Sequence, residues 1–248
     1  MEKGLYRVGA WTALVVVLVV LLDFGTAFSE GTGVPGTLSA VEWFTLFEDN
    51  WFVGLGNLGL FNMLYNVLMV PTFLALFAIH RRAHPTAAAL ATVFWLIGVT
   101  IYIASNTALP MLALSHQYAA ATTESHRSLL VAAGQAILAR GEDLTPGAFP
   151  GFLITELAAI SMCAIMLRSQ IFSKLTAVAG IVAFGSLLLF NILVAFVPAM
   201  FSVAMVFATS GGLIVLVWYV LVARRLFKLG SLEANTVTPG RPAHILTQ

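Results

Sequence analysis

Apolar residues in this chain run in long unbroken stretches instead of alternating with polar ones. No charged side chain lies between Asp49 and His80, and none between His84 and His116. From Leu175 to Ala223 the chain is again uncharged, over about twice the length of one span, with Pro198 near the middle. A spanning helix needs about 20 apolar residues, because the hydrocarbon core is roughly 30 Å thick and each residue rises about 1.5 Å. This predicts spans over 51–79 and 87–114, then a hairpin of 175–196 and 199–222 turning at Val197-Pro198, where proline ends one helix. Two further spans are less clean. The stretch 8–28 is very apolar through Leu22 but carries Asp23, and 149–167 carries Glu156. The pattern therefore predicts an all-α, polytopic transmembrane bundle of six spans over 1–230, followed by a polar tail, 231–248. Lys3 and Arg7 before the apolar run, with Ala27-Phe28-Ser29 after it, also have the outline of a signal peptide. Here they are read as the first span.

Two connecting segments carry helical patterns of their own. Ser39-Ala40-Val41-Glu42 has the form of a capping box, and Val41, Phe44 and Phe47 then fall on one face of a short amphipathic helix. Thr123 is placed to cap a second helix running to about Ala139, with Leu130, Ala133, Ile137 and Leu138 as its apolar stripe. Gly141, Pro146, Gly147, Pro150 and Gly151 then break structure before the fourth span. Both helices fall on the same side of the bundle. They either close over it as a lid or rest on lipid headgroups.

Composition agrees with a membrane solvent. Hydrophobic residues make up 60% of the 248 and charged ones only 9%, and the mean hydropathy is +0.95. A net charge of +1 gives no basic surface for nucleic acid. Charge also orients the chain. With the N-terminus inside, Lys3, Arg7, Arg81, Arg82, Arg168, Lys174, Arg224, Arg225, Lys228 and Arg241 are cytoplasmic, and of the 12 basic residues only Arg127 and Arg140 are outside. Glu30, Glu42, Glu48, Asp49, Glu124, Glu142 and Asp143 lean outward. Trp11 and Trp218 are then expected near the inner interface, and Trp43 and Trp51 near the outer one.

Most motif matches reduce to packing. Gly54-Leu55-Gly56-Asn57-Leu58-Gly59 fits GxGxxG, but the dinucleotide fingerprint requires a preceding strand and a βαβ context that is missing, so close helix packing is expected instead. His80 and His84 sit at i, i+4 beside Arg81 and Arg82; a headgroup-facing rim is the reading, and no metal site is assigned. No histidine lies within a span to hold a haem, and no lysine lies mid-span to form a Schiff base. The single cysteine, Cys163, reads as a packing residue. No cofactor is expected.

The informative residues are polar groups at membrane depth. They are Asp23, then Asn57, Asn62 and Asn66, then Asn106, Glu156 and Asn191. They lie on five spans, at similar depth, in the outer half. Facing lipid, each would carry a large transfer cost, so they are expected to turn inward and meet. Two readings remain open at this point: an outward-facing pocket with Glu156 at its floor, or a structural cluster that fixes helix register. Glu156 is expected to hydrogen-bond an amide such as Asn62, Asn106 or Asn191. Asn57, Asn62, Asn66, Asn106, Glu156 and Asn191 are the candidate ligand-binding residues, and Glu156 with Asp23 the candidate acid–base pair.

The segments Leu114-Ser115-His116-Gln117-Tyr118-Ala119-Ala120-Ala121-Thr122-Thr123-Glu124 and His126-Arg127-Ser128-Leu129-Leu130-Val131-Ala132-Ala133-Gly134 resemble a large family of bacterial and archaeal multi-pass membrane proteins known only as a domain of unknown function. So do Met166-Leu167-Arg168-Ser169, Phe172, Ala177 and Gly180-Ile181. The resemblance implies six spans in a prokaryotic plasma membrane and carries over no active-site residue. The expected function is a non-catalytic membrane protein that binds a lipid-like or small amphipathic ligand, or serves as an accessory subunit. Its expected partners are membrane lipids or other membrane-protein subunits. The alternatives are an intramembrane enzyme acting on a lipid or isoprenoid through Glu156, and a small secondary transporter.

Overall fold

The computed structural model describes residues 2–27 and 36–235. Phe28 and Ser29 of the cleavage-like site, Glu30, and the tail beyond Asn235 with Arg241 and His244 lie outside the described residues. Among those described, every regular element is a helix. Helix α1 (Glu2–Ala27) forms the first span. Helices α2 (Ala40–Asn57), α3 (Leu60–Leu68) and α4 (Val70–His80) form the second, and α5 (Pro85–Ser105) with α6 (Ala108–Ala120) the third. After α7 (Glu124–Gly141) come the fourth span α8 (Phe149–Ser169), the fifth α9 (Lys174–Phe196) and the sixth α10 (Phe201–Asn235). A short 3-10 turn, Pro198–Met200, joins α9 to α10.

The spans form a closed ring. Helix α1 packs on α3 and α4, α4 on α5, α5 on α8, α8 on α9, α9 on α10, and α10 back on α1. Gly230 lies against Lys3 and Arg7, and Gly212 against Phe24, so α1 and α10 are antiparallel and both described termini share one end. That end is called the terminal end below, and the opposite one the loop end. Leu18, Leu21, Val206, Leu213 and Val217 turn outward and are more than half exposed, as a lipid-solvated surface requires.

The terminal half of the ring is tightly filled. Phe73 stacks on Trp95 at 4.0 Å, and Phe184 meets Trp218 edge-on at 5.1 Å. Gly180 leaves room for Cys163 and Trp218 to pack on α9. Two tryptophans therefore depart from the aromatic-belt expectation. Trp218 is fully buried in the core and Trp43 is 4% exposed, whereas Trp11 and Trp51 do face outward. The headgroup-facing reading of His80 is also corrected. Its ring is completely buried against Phe172, which folds over it from the α8–α9 connection, and neither ring nitrogen has a hydrogen-bond partner.

At the loop end, α2, α6 and α7 pack on one another. The capping box forms: the Glu42 amide donates to Ser39 Oγ at 3.3 Å, and the Ser39 amide to Glu42 Oε2 at 2.7 Å. Asn50 has extended backbone and interrupts α2; its Oδ1 accepts from the Val53 amide at 3.2 Å and restarts the helix toward the bundle. The apolar face of α2 is Trp43, Phe44 and Phe47, all buried, while Val41 is exposed and does not belong to it. Gly134 of α7 lets Ala40 and Phe44 approach closely, and Leu130 and Leu138 are buried, although Ala133 of the expected stripe is exposed. The apolar faces of both short helices are thus turned onto protein.

The second and third spans are broken where they cross. Gly59 has φ +78°, a left-handed conformation in which a side chain would be strained and would run into the Tyr102 hydroxyl and the Asp143 carboxyl. The break is bonded across the bundle: Asn106 Nδ2 donates to Leu58 O at 3.1 Å and to Gly59 O at 3.2 Å, the latter also accepting from the Met63 amide at 3.0 Å. Asn106 Oδ1 in turn accepts from the Ala108 amide at 3.2 Å, starting α6 where α5 has ended. Pro71 and Pro110 sit just inside α4 and α6, where a missing amide hydrogen is tolerated.

Candidate functional site

The breaks re-aim α3 and leave the ring unfilled toward its loop end. A cavity of about 450 Å³ remains there, between α1, α3, α8, α9 and α10. Its wall is largely apolar and includes Phe24, Phe152, Phe184, Leu187, Met205 and Val215. Six of the seven polar residues singled out from the sequence also line it: Asp23, Asn57, Asn62, Asn66, Glu156 and Asn191. Asp23 and Glu156, whose meeting the sequence left open, share this one cavity. Asn106 does not line it and instead bonds the Leu58 and Gly59 carbonyls.

Glu156 is 6% exposed and Asn191 4%. Asn191 Nδ2 donates to Glu156 Oε1 at 2.7 Å and to the carbonyl of Leu187 at 3.0 Å. The bond is local in space but spans 35 residues of sequence. Glu156 is the acceptor in it, and Glu156 Oε2 and Asn191 Oδ1 are buried with no partner. Asn66 repeats the arrangement: Nδ2 donates to Asn62 O at 2.8 Å, and Oδ1 is left buried and unpartnered. Asn57 donates to Thr26 O and Val53 O. The two amides lining the wall with unpartnered oxygens have their nitrogens anchored on carbonyls, which fixes which end of each is the oxygen.

Sequence reasoning missed Asp143. The charge pattern puts it with Glu142 on the outer side, yet both acids are 6% exposed. Asp143 folds into the bundle, where Oδ1 accepts from the Tyr102 hydroxyl at 2.6 Å and Oδ2 from Asn62 Nδ2 at 2.8 Å. Glu142 Oε1 accepts from the Gly36 amide at 3.1 Å. Burial pushes the Asp143 carboxyl up from 3.8 to about 6, against the opposing effect of its bonds from Tyr102, Asn62 and the Leu144 amide. Burial raises Glu142 as well. The only sequence signal was an acidic pair between the helix breakers Gly141 and Pro146, and nothing local joins Asp143 to Asn62, 81 residues away.

Among the described residues no three His, Cys, Asp or Glu side chains come together as a metal cage. Of the GxGxxG glycines, Gly54 packs on Phe47, Gly56 on Thr26, and Gly59 makes the left-handed turn.

Fold and site together define a polytopic, six-span helical membrane protein with a cavity lined by apolar and polar residues. The chain belongs to the family described as a domain of unknown function, DUF4386, whose model matches residues 42–223. That match contains every cavity helix except α1, which carries Asp23. No curated protein and no solved structure matches the chain.

Two outcomes are expected. Glu156→Gln keeps an acceptor for Asn191 and should unfold in detergent titrations like the parent chain. Glu156→Leu leaves an Asn191 N–H unpaired and should lose roughly 1–3 kcal/mol. For Asp143, the folded value lies above the ordinary one, so docking of 141–148 is favoured fully below pH 3.8 and loses that advantage as pH rises through about 6. Amide exchange over 141–148, corrected for its intrinsic pH dependence, should quicken between pH 5 and pH 7.5, and Asp143→Asn should flatten that change.

Proposed function

We propose that this protein is a membrane-embedded binding protein that takes up a lipid-like or small amphipathic molecule in the cavity. The observation that carries the reading is a cavity of about 450 Å³ inside a lipid-facing ring, apolar on most of its wall and holding a buried, half-satisfied Glu156. Small-molecule sites typically run about 300–1,000 Å³ and combine an apolar lining with a few polar groups that fix orientation. A cluster meant only to set helix register would pair its polar atoms with one another, and this one leaves three unpaired.

A second reading has one observation in its favour. Asp23 and Glu156 line the same cavity, so a bound lipid or isoprenoid would have two carboxyl groups within its site for acid–base work. Chemical change of the bound molecule, rather than its recovery intact, would favour this second reading.

We further propose that the protein lies in a prokaryotic plasma membrane with both termini cytoplasmic. Lys3, Arg7, Arg81, Arg82, Arg168, Lys174, Arg224 and Lys228 lie toward the terminal end of their helices or in the connections there, and Arg127 and Arg140 belong to the opposite end. Cys163 is fully buried, so single cysteines at Ser231 and Glu124 report alone: in intact cells, an impermeant maleimide should label the second and not the first.

For the binding reading, the protein is purified into nanodiscs and its bound small molecules are extracted and weighed by mass spectrometry. Parent protein should retain an apolar molecule in near-stoichiometric amount. Ala208→Phe, which fills the cavity from α10, should lose it while keeping helix content and monodispersity. Equal retention by both would refute the binding reading.

A further inference from the structure

The polar groups around the cavity are unbalanced in a way that specifies a ligand. Every side-chain N–H of its asparagines and tryptophan that is bonded points to protein: Asn57 to carbonyls of Thr26 and Val53, Asn62 to Asp143, Asn66 to Asn62, Trp95 to the carbonyl of Asn66, and Asn191 to Leu187 and Glu156. The atoms of these lining residues that are fully buried and lack a partner are all oxygens. Glu156 Oε2, Asn191 Oδ1 and Asn66 Oδ1 are buried without partners, on residues 6%, 4% and 1% exposed. Asp23 adds a second carboxyl to the same wall, and among the described residues no lysine, arginine or histidine lines it. A buried acceptor without a donor is costly, and it is costlier still when it can carry charge.

We propose, building on the binding reading above, that the ligand is a hydrophobic amine that enters as its ammonium ion, with the N–H donors turned to Glu156 and the two asparagine oxygens. An ammonium offers three N–H donors and no acceptor, and its charge is complementary to a carboxylate that forms as it binds. Tyr65, Tyr219 and Trp95, also on the wall, add aromatic faces that attract a cation. An alcohol of the same chain length brings a single donor and no charge. A fatty acid or phosphate headgroup brings more acceptors and a negative charge to a wall without basic side chains, and is disfavoured on both counts.

The test uses the full chain in phosphatidylcholine nanodiscs with three probes of matched chain: dodecylamine, dodecanol and dodecanoic acid. Binding is followed by quenching and shift of tryptophan emission, since Trp95 lines the cavity, and by competition in native mass spectrometry. Ala208→Phe serves as the blocked control, to subtract probe that merely dissolves in the bilayer. The amine should bind best, the alcohol weakly and the acid least. Glu156→Gln should reduce amine affinity roughly ten- to a hundredfold and leave the alcohol nearly unchanged. Equal binding of amine and alcohol with no effect of Glu156→Gln, or tighter binding of the acid, overturns the amine assignment while leaving the cavity reading intact. No Ala208-sensitive binding by any of the three, together with no retained molecule in the purified protein, overturns both.

Discussion

The side chain of Asn106 reaches from the end of α5 to the carbonyls of Leu58 and Gly59, where α2 has stopped and α3 has not yet begun. In hydrocarbon a freed backbone carbonyl finds no water, so a broken helix survives only where some other group bonds it. Much of the loop-end half of the molecule follows from this contact. Because the break is tolerated, α3 starts in a new direction and carries Asn62 and Asn66 inward. Because Gly59 turns left-handed there, the Tyr102 hydroxyl and the Asp143 carboxyl have room to come together above it. The cavity lies beside this junction, in the half of the ring that the aromatic core of Trp95, Phe184 and Trp218 does not fill.

The wall of that cavity has a chemical polarity distinct from its electrical one. Its amide nitrogens are tied to backbone carbonyls or to acids, and each tie consumes a donor and leaves an oxygen behind. Asn66 and Asn191 both bond a carbonyl one turn back in this way, and each keeps a buried side-chain oxygen without a partner. Glu156, beside Asn191, adds a carboxyl oxygen that is likewise buried without a partner.

The six apolar stretches were legible in the sequence because hydrocarbon imposes a length and excludes charge, and both can be read residue by residue. The inward turn of Asp23, Asn57, Asn62, Asn66, Glu156 and Asn191 was legible for the same reason: each is too costly to face lipid. The pairings were not. Whether Asn62 meets Glu156 or Asp143 depends on how α3 is re-aimed at Gly59, and periodicity within one helix contains no such information. Asp143 was hidden because a charged residue in a loop is ordinarily solvated, and only tertiary structure reveals that this loop folds inward. Trp43, Trp218 and His80 misled in the opposite sense. Trp43 and His80 lie near helix ends and Trp218 near the end of the expected span 199–222, as interfacial residues would, but neighbouring segments, such as Phe172 over His80, cover them.

Neighbours in the ring are neighbours in the chain, and only the contact of α10 with α1 closes it. The order of synthesis then becomes the order of assembly: each new span can dock on the one before it, and the ring remains an open arc until the last has been made. Helix α10 supplies Phe201, Met205, Ala208, Thr209, Gly212, Val215 and Tyr219 to the cavity wall. The cavity therefore lacks that wall until the final helix has been made and packs against the first.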